Sequence, residues 1–227
     1  MDGQNWQRWL KHHNRHDSEI CQDNGSLYWI KNRKRQQINW FDKHRPYHQI
    51  GMSKKQHKLI QAIHGRMTVK PIVFDACAGL GYDTFLMSLS GCDVIACEKN
   101  ASIFALLADM HAKANNQSWL GQGKIKIIFG CAVQIMHEWP EYRIRPDVVY
   151  LDPMFDKDFK GEVKANAALL KSLVAVENTD QLFKLALSTA RYKVVVKRPL
   201  AAKPLSDSKP TYTIQGKTTR YDVYQVG

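Results

Sequence analysis

Val73-Phe74-Asp75-Ala76-Cys77-Ala78-Gly79-Leu80-Gly81-Tyr82-Asp83 is the stretch whose reading decides the fold of this chain. Ile72, Val73 and Phe74 form a short apolar run of strand-forming residues, closed by Asp75. A turn of small residues follows, and Thr84 to Ser90 then reads as a helix. Gly79 and Gly81 allow positive φ and let a ligand approach the backbone closely. The turn also presents unpaired amide N–H groups at the start of a helix. Strand, tight turn and helix in this order suit a nucleotide-like ligand at the carboxyl end of a strand.

What the turn lacks narrows the ligand. A dinucleotide fingerprint requires Gly-x-Gly-x-x-Gly, but Gly81 is followed by Tyr82, Asp83 and Thr84, with no third glycine. A Walker A lysine is absent too. Asp75 would repel a pyrophosphate and suits a cation. S-adenosylmethionine (SAM) carries an ammonium and a sulfonium centre and no phosphate, so Asp-x-x-x-Gly-x-Gly leans towards it. A plain strand–helix turn with two glycines is the competing reading.

The chain has 227 residues, 44% of them hydrophobic, which suits an α/β domain of ordinary size with a small appendage. No apolar run is long enough to span a membrane, and Met1-Asp2-Gly3-Gln4-Asn5-Trp6 has no apolar signal core, so a cytoplasmic location is expected. The five cysteines include no Cys-x-x-Cys pair and read as reduced thiols; no metal is expected. Net charge is +12 and uneven, with 14 Lys and Arg against 5 Asp and Glu in residues 1–70. The same region carries Trp6, Trp9, Tyr28, Trp29, Trp40, Phe41 and Tyr47. Basic groups neutralise phosphates and aromatic rings stack on bases, so this segment reads as a nucleic-acid contact. The alternative is a solvated basic face over a small aromatic core.

Outward from the turn, strand and helix signals alternate. Residues 1–25 read as a polar, loosely ordered or short helical lead-in. Leu27–Ile30 and Ile38–Phe41 are expected to form a hairpin around the basic turn Lys31-Asn32-Arg33-Lys34-Arg35, and Ser53–His64 a helix ended by Gly65. Strands are expected at Ile72–Ala76, Asp93–Cys97, Lys124–Phe129, Asp147–Leu151 and Lys193–Val196. Helices are expected at Tyr82–Ser90, Ala101–Ala114, Val133–His137, Ala165–Val174 and Asp180–Ala190. Thr211–Gln215 and Tyr221–Gln225 close the chain as a hairpin. The result is an α/β fold with a mostly parallel sheet and a C-terminal antiparallel hairpin. Residues 1–68 form a basic N-terminal extension and 69–227 the ligand-binding domain.

Asp75, Glu98 and Asp152 fall at the carboxyl ends of predicted strands, which line one crevice in a doubly wound sheet. Glu98, 23 residues after Asp75, can accept both hydroxyls of a ribose; NAD enzymes use the same device, so it marks a nucleoside and not a particular cofactor. Asp152-Pro153-Met154-Phe155 follows the buried run Val148-Val149-Tyr150-Leu151 and resembles the (Asn/Asp)-Pro-Pro-(Tyr/Phe) motif of methyltransferases acting on exocyclic amino groups. Such an amino group is a poor nucleophile because its lone pair is delocalised. Acceptors such as Asp152 favour the pyramidal nitrogen, Pro153 stiffens their turn, and Phe155 offers a face for the base. An ordinary Asp-Pro turn is the competing reading. Lys197-Arg198-Pro199, on the same edge, and Lys217 and Arg220, in the closing hairpin, are candidates to hold nucleic-acid phosphates, with solvated loop charges as the competing reading.

Five segments together resemble the RsmJ family of SAM-dependent methyltransferases, which modify the N2 amino group of a guanine in 16S ribosomal RNA. They are Asp75–Asp83, Gly91-Cys92, Val149–Phe155, Val194–Pro199, and Gly216-Lys217 with Arg220–Tyr224. The resemblance implies a Rossmann-like SAM-binding domain with a small N-terminal extension. It places Tyr82-Asp83, Glu98-Lys99, Cys131-Ala132 and Asp152 against SAM, and 16S ribosomal RNA or the small subunit as partner. Arg33, Lys34, Arg35 and Arg45 would supply the wider RNA grip. The alternatives are an amino methyltransferase acting on another base or a protein side chain, and a non-catalytic RNA-binding protein with a vestigial SAM pocket. An NAD oxidoreductase would leave Asp152-Pro153-Met154-Phe155 without a role.

Overall fold

The computed structural model describes residues 20–24, 26–31, 34–36, 39–40, 57–115, 123–139, 144–153 and 179–227. Three antiparallel strands come first: β1 (Ile20–Asp23), β2 (Ser26–Lys31) and β3 (Lys34–Gln36), in the order β1-β2-β3. The expected strand at Leu27–Ile30 is there, but its partners are not the expected ones. It pairs with Ile20–Asp23, inside the segment read as a lead-in, and with Lys34–Gln36; of the expected partner Ile38–Phe41, Asn39 and Trp40 lie in no strand, and Ile38 and Phe41 lie outside the described residues. Asn24, at φ 47, provides the left-handed turn between β1 and β2 that asparagine tolerates better than most residues. Trp40 belongs to no strand, because its ring has a better place. It is fully buried, stacks on Phe85 at 5.0 Å and donates from Nε1 to the Leu80 carbonyl at 2.9 Å.

The main sheet has seven strands. β4 (Ile72–Asp75) lies between β5 (Asp93–Glu98) and β7 (Val148–Leu151), parallel to both. β6 (Ile125–Phe129) flanks β5, and β8 (Lys193–Pro199) flanks β7, again in parallel. β10 (Thr219–Gln225) runs antiparallel to β8 and to the edge strand β9 (Tyr212–Gln215), giving the order β6-β5-β4-β7-β8-β10-β9. The central strands are covered on both faces, which is why they read as continuous apolar runs without alternation.

Helices cover the two faces. α1 (Lys58–His64), α2 (Tyr82–Leu89) and α3 (Ala101–Asn115) pack with Val73, Val148, Tyr150, Val195, Tyr221 and Val223 on one face. α4 (Ala132–His137) and α5 (Thr179–Thr189) pack with Phe74, Val149, Leu151, Val194 and Val196 on the other. The N-terminal strands join the first of these cores. Leu27 and Trp29 are buried in it, and the Leu27 N–H donates to Asp109 of α3 at 3.2 Å. At the C-terminus of α5, Arg145 donates to the Ser188, Thr189 and Ala190 carbonyls, satisfying groups that a helix end leaves open. α1 ends at Gly65 (φ 53) as expected; Ser53, its expected cap, and the expected helix at Ala165–Val174 lie outside the described residues. Among the described residues no helix is long and apolar enough to cross a membrane.

Trp40 therefore joins the N-terminal segment to the glycine turn. Trp40→Ala is expected to lower stability by about 3–5 kcal/mol, the usual loss for a buried aromatic side chain. Urea unfolding followed by circular dichroism measures it; a loss below about 1 kcal/mol would show that the contact is dispensable.

Candidate active site

The glycine turn runs from β4 into α2 with Gly79 at φ 55 and Gly81 at φ 76. A Cβ on Gly81 would collide with the Trp40 and Leu107 side chains, so this position is glycine for both conformation and space. Asp75, at the end of β4, is buried and accepts hydrogen bonds from Thr84 Oγ1 at 2.5 Å and the Cys77 N–H at 3.3 Å. Burial pushes its carboxyl up to about 7 although the Thr84 hydrogen bond pulls the other way. Glu98, at the end of β5, ties the turn to the next strand. Its Oε2 accepts the Gly79 N–H at 3.0 Å and its Oε1 the Asn100 N–H at 2.7 Å. Burial raises the Glu98 carboxyl against both bonds. The Lys99 N–H also bonds to this carboxylate, and of its roughly four lone-pair sites at least one remains for a ligand.

The second half of the site follows from strand alternation. Tyr150 and Val195 face the α2 side of the sheet, so Asp152 and Lys197, two residues further along, are directed to that side as well. Lys197 Nζ donates to Asp83 Oδ2 at 2.7 Å and to Asp152 Oδ2 at 2.9 Å. The Tyr150 hydroxyl donates to the same Asp83 oxygen at 2.6 Å. Asp83 lies in the first turn of α2, where a negative charge also favours the helix dipole. Burial alone would raise the Asp83 carboxyl. The charge and hydrogen bond of Lys197 and the Tyr150 hydroxyl outweigh it and hold Asp83 low. Lys197 stays firmly protonated, since Asp152 and Asp83 more than offset the effect of burial. Asp152 is pushed up by burial and by the charge on Asp83, with Lys197 opposing. The Asp152 side chain keeps 38% of its surface accessible, and its Oδ1 has no partner among the described residues.

The expected SAM residues converge on this edge. Tyr82 and Asp83 open α2, Lys99 follows Glu98, and Cys131 and Ala132 begin α4 beside the Gly130 N–H bonded to the Glu98 carbonyl at 3.0 Å. Pro153 is buried directly after Asp152. Phe155 and Met154 lie outside the described residues, as do Arg33 and Arg45; Lys34 and Arg35 lie in β3. Four basic residues read as phosphate contacts have distinct placements. Lys197 bridges two carboxylates. Arg198 is buried and donates to the Lys203 carbonyl. Arg220 pairs with Asp222 at 2.9 Å and donates to the Pro199 and Leu200 carbonyls. Lys217 is the exposed one of the four. Tyr28, Trp29 and Trp40 of the N-terminal aromatic set are core residues, while Trp6, Trp9, Phe41 and Tyr47 lie outside the described residues.

Three residues of the site have no site role in the sequence reading. Tyr150 shares a strand face with Asp152, and the period of two was the signal for it. Tyr221 sits opposite Lys197 in the β8–β10 register. Its hydroxyl is pushed up by burial, with Asp83 adding to the effect. His57 occupies the N-cap position of α1 without a side-chain cap bond; its imidazole is lowered by burial, with Asp83 acting in the opposite sense. No local pattern marks either residue.

A SAM molecule fits this donor set. Four carboxylates suit a cation, Glu98 offers acceptors for ribose hydroxyls, and the one lysine among them is neutralised by Asp83 and Asp152. Comparison with known proteins agrees. Residues 5–226 match the family described as "Putative SAM-dependent methyltransferase". Ribosomal RNA small subunit methyltransferase J of Thioalkalivibrio sulfidiphilus (strain HL-EbGR7) is 38% identical over 188 residues, which cover 80% of this chain and 72% of that protein. The protein of the same name from Buchnera aphidicola subsp. Schizaphis graminum (strain Sg) is 32% identical over 227 residues, covering 94% of this chain and 90% of the relative. The one from Pseudoalteromonas atlantica (strain T6c / ATCC BAA-1087) is 41% identical over 162 residues, but this match spans 62% of its length. The crystal structure of a SAM-dependent methyltransferase from Neisseria gonorrhoeae superposes with a TM-score of 0.74 at 25% identity, covering 99% of this chain and 93% of that one.

Asp75 gives a pH test of the site. Its folded carboxyl titrates at about 7 against an ordinary 3.8, so the folded protein binds the extra proton between those values. Stability contributed by this group therefore falls as pH rises through that window, and the penalty is complete above about pH 7. Asp75→Asn removes the penalty. Relative to wild type, its unfolding free energy is expected to rise by about 2–3 kcal/mol between pH 5 and pH 8. Urea titrations at both pH values measure it, and a pH-independent difference would contradict the assignment.

Proposed function

Because the chain belongs to the SAM-dependent methyltransferase family that contains ribosomal RNA small subunit methyltransferase J, we propose that it methylates the exocyclic N2 amino group of a guanosine in 16S ribosomal RNA. It would act in the cytoplasm on the RNA or on the small subunit that contains it. The observation that carries this reading is the open Oδ1 of Asp152, on a carboxylate whose other oxygen is held by Lys197.

Bound at the glycine turn, SAM would supply an electrophilic methyl group. Glu98 would hold the ribose hydroxyls, and Asp75 and Asp83 would face the cationic end. Tyr82, Lys99, Cys131 and Ala132 would complete the walls. The remaining chemistry falls to Asp152. Its Oδ1 accepts an N–H of the guanine amino group, which draws the nitrogen towards the pyramidal, nucleophilic form. The nitrogen must lie in line with the methyl group, so holding it is a large part of the catalysis. Burial favours protonation of Asp152, so this carboxyl can take the proton that the amino group gives up. Pro153 stiffens the turn behind it, and Phe155 would stack on the base. The guanine leaves its own stack to reach this point.

Two measurements test the proposal. Labelled methyl transfer to small subunits lacking the modification, followed by digestion and mass spectrometry, is expected to yield N2-methylguanosine. Label on adenine, on ribosomal protein, or on nothing would refute the substrate. Asp152→Asn is expected to lower kcat by about 100-fold or more while RNA affinity stays within about threefold. A wild-type kcat would remove Asp152 from the chemistry.

A further inference from the structure

At the opposite edge of the sheet, a cavity of about 710 Å³ is lined by Gln61, Arg66, Tyr192, Lys193, Tyr212 and Gln225, among others, with no acidic side chain. Lys193 is its unusual feature. It is the first residue of β8 and only 5% exposed, yet it has no hydrogen-bond or ion-pair partner among the described residues. Its Nζ lies 2.9 Å from where a Cβ on Gly65 would stand, so the absence of a side chain there leaves room for the ammonium. Burial pushes Lys193 down to about 8, with only the Cys92 thiol acting the other way. The Lys193 stem is buried while its ammonium opens on the cavity without a partner among the described residues, and an anion there would complete it.

The surroundings say which anion. Arg66 is exposed at the mouth and adds a second cation. Tyr192 and Tyr212 are 41% and 37% exposed. Arg191 already lies over Tyr192 at 4.8 Å, whereas Tyr212 has no ring partner among the described residues. Gln225, opposite Lys193 in the β8–β10 register, adds an amide. Two cations, an open aromatic face and amide groups in a space of this size match a nucleoside phosphate. α1 connects the two ends of this face. His57 at its start feels the charges of Asp83 and Lys197, and Gly65 at its end abuts Lys193. Along β8, Lys193 and Lys197 are four residues apart on one face, about 13 Å.

We propose that this cavity is a second RNA contact, in which Lys193 and Arg66 hold a phosphate and Tyr212 stacks on the attached base of the strand whose guanine enters the Asp152 site. The proposal rests on RNA being the substrate. A free nucleotide presents the same chemistry, and the test separates the two sources.

Full-length wild type, Lys193→Met and Arg66→Ala are titrated with guanosine 5′-monophosphate and with inorganic phosphate by calorimetry, with SAM at saturation. Methyl transfer to small subunits is then measured across salt concentrations. Wild type is expected to bind the nucleotide, and each variant to bind it about tenfold or more weakly. Each variant is also expected to raise the KM for subunits, with the loss carried by KM rather than kcat, and to reduce the salt slope of binding by about 1. Nucleotide binding that depends on Lys193 with an unchanged KM overturns the RNA assignment in favour of a free nucleotide. No binding of either probe and no change in KM overturns the site. Thermal melts check folding, and Arg66→Ala, on the surface, decides the matter if Lys193→Met does not fold. If wild type methylates no RNA, the substrate reading fails, and calorimetry still decides the cavity.

Discussion

One ammonium group holds the candidate site together. Lys197 Nζ, from β8, reaches Asp83 at the start of α2 and Asp152 after β7. These three residues come from separate parts of the chain and are brought together by strand order alone, β4-β7-β8. Without the lysine, two carboxylates would face each other across a partly buried cleft, and one would have to take up a proton. With it, Asp83 keeps its charge, and Asp152 is anchored through one oxygen while the other stays open. Its worth is positional more than energetic, because the three side chains retain between 24% and 38% of their surface and solvent screens the pair.

The glycine turn depends on a second, apolar constraint. Trp40 closes over Gly81 and Phe85, so a residue from the N-terminal region forms part of the turn's packing. The strands β1 to β3 are anchored to α3 through the buried Leu27 and Trp29 and the bond to Asp109. The segment that carries most of the positive charge is thus attached to the domain by its aromatic residues. Among the described residues, the rings of Tyr28, Trp29 and Trp40 are buried.

How much of this was legible follows from the range of the forces involved. The main sheet was, because Val148-Val149-Tyr150-Leu151 and Val194-Val195-Val196 are unbroken apolar runs that only a doubly covered strand requires. The glycine turn was, because Gly79 and Gly81 do a job that other residues do poorly. The acids at strand ends were, because topology fixes where strands end. The strand expected to include Trp40 is not legible in this way, because tertiary burial of the Trp40 ring overrides its strand propensity. Asn24-Gly25 is a hairpin signal in its own right and marks the turn between β1 and β2. Lys197, Arg198 and Arg220 look alike in sequence as basic residues near a loop. The carboxylate partners of Lys197 lie far along the chain and the carbonyl partners of Arg198 and Arg220 across a loop, where no local pattern reports them; the Arg220–Asp222 pair, two residues apart on one strand face, is the local one. The same limit hid Tyr221, His57 and the solitary Lys193.

The account stands on Lys197 acting through Asp83 and Asp152 and not as a phosphate grip. A double-mutant cycle on methyl-transfer kcat with Asp83→Asn and Lys197→Met tests this most directly. Asp83 anchors the lysine that holds Asp152, so each single change should lower kcat by about tenfold or more, and the double variant should be little worse than the poorer single. Effects that multiply, or a Lys197→Met variant with wild-type kcat and a raised KM for RNA, would contradict it.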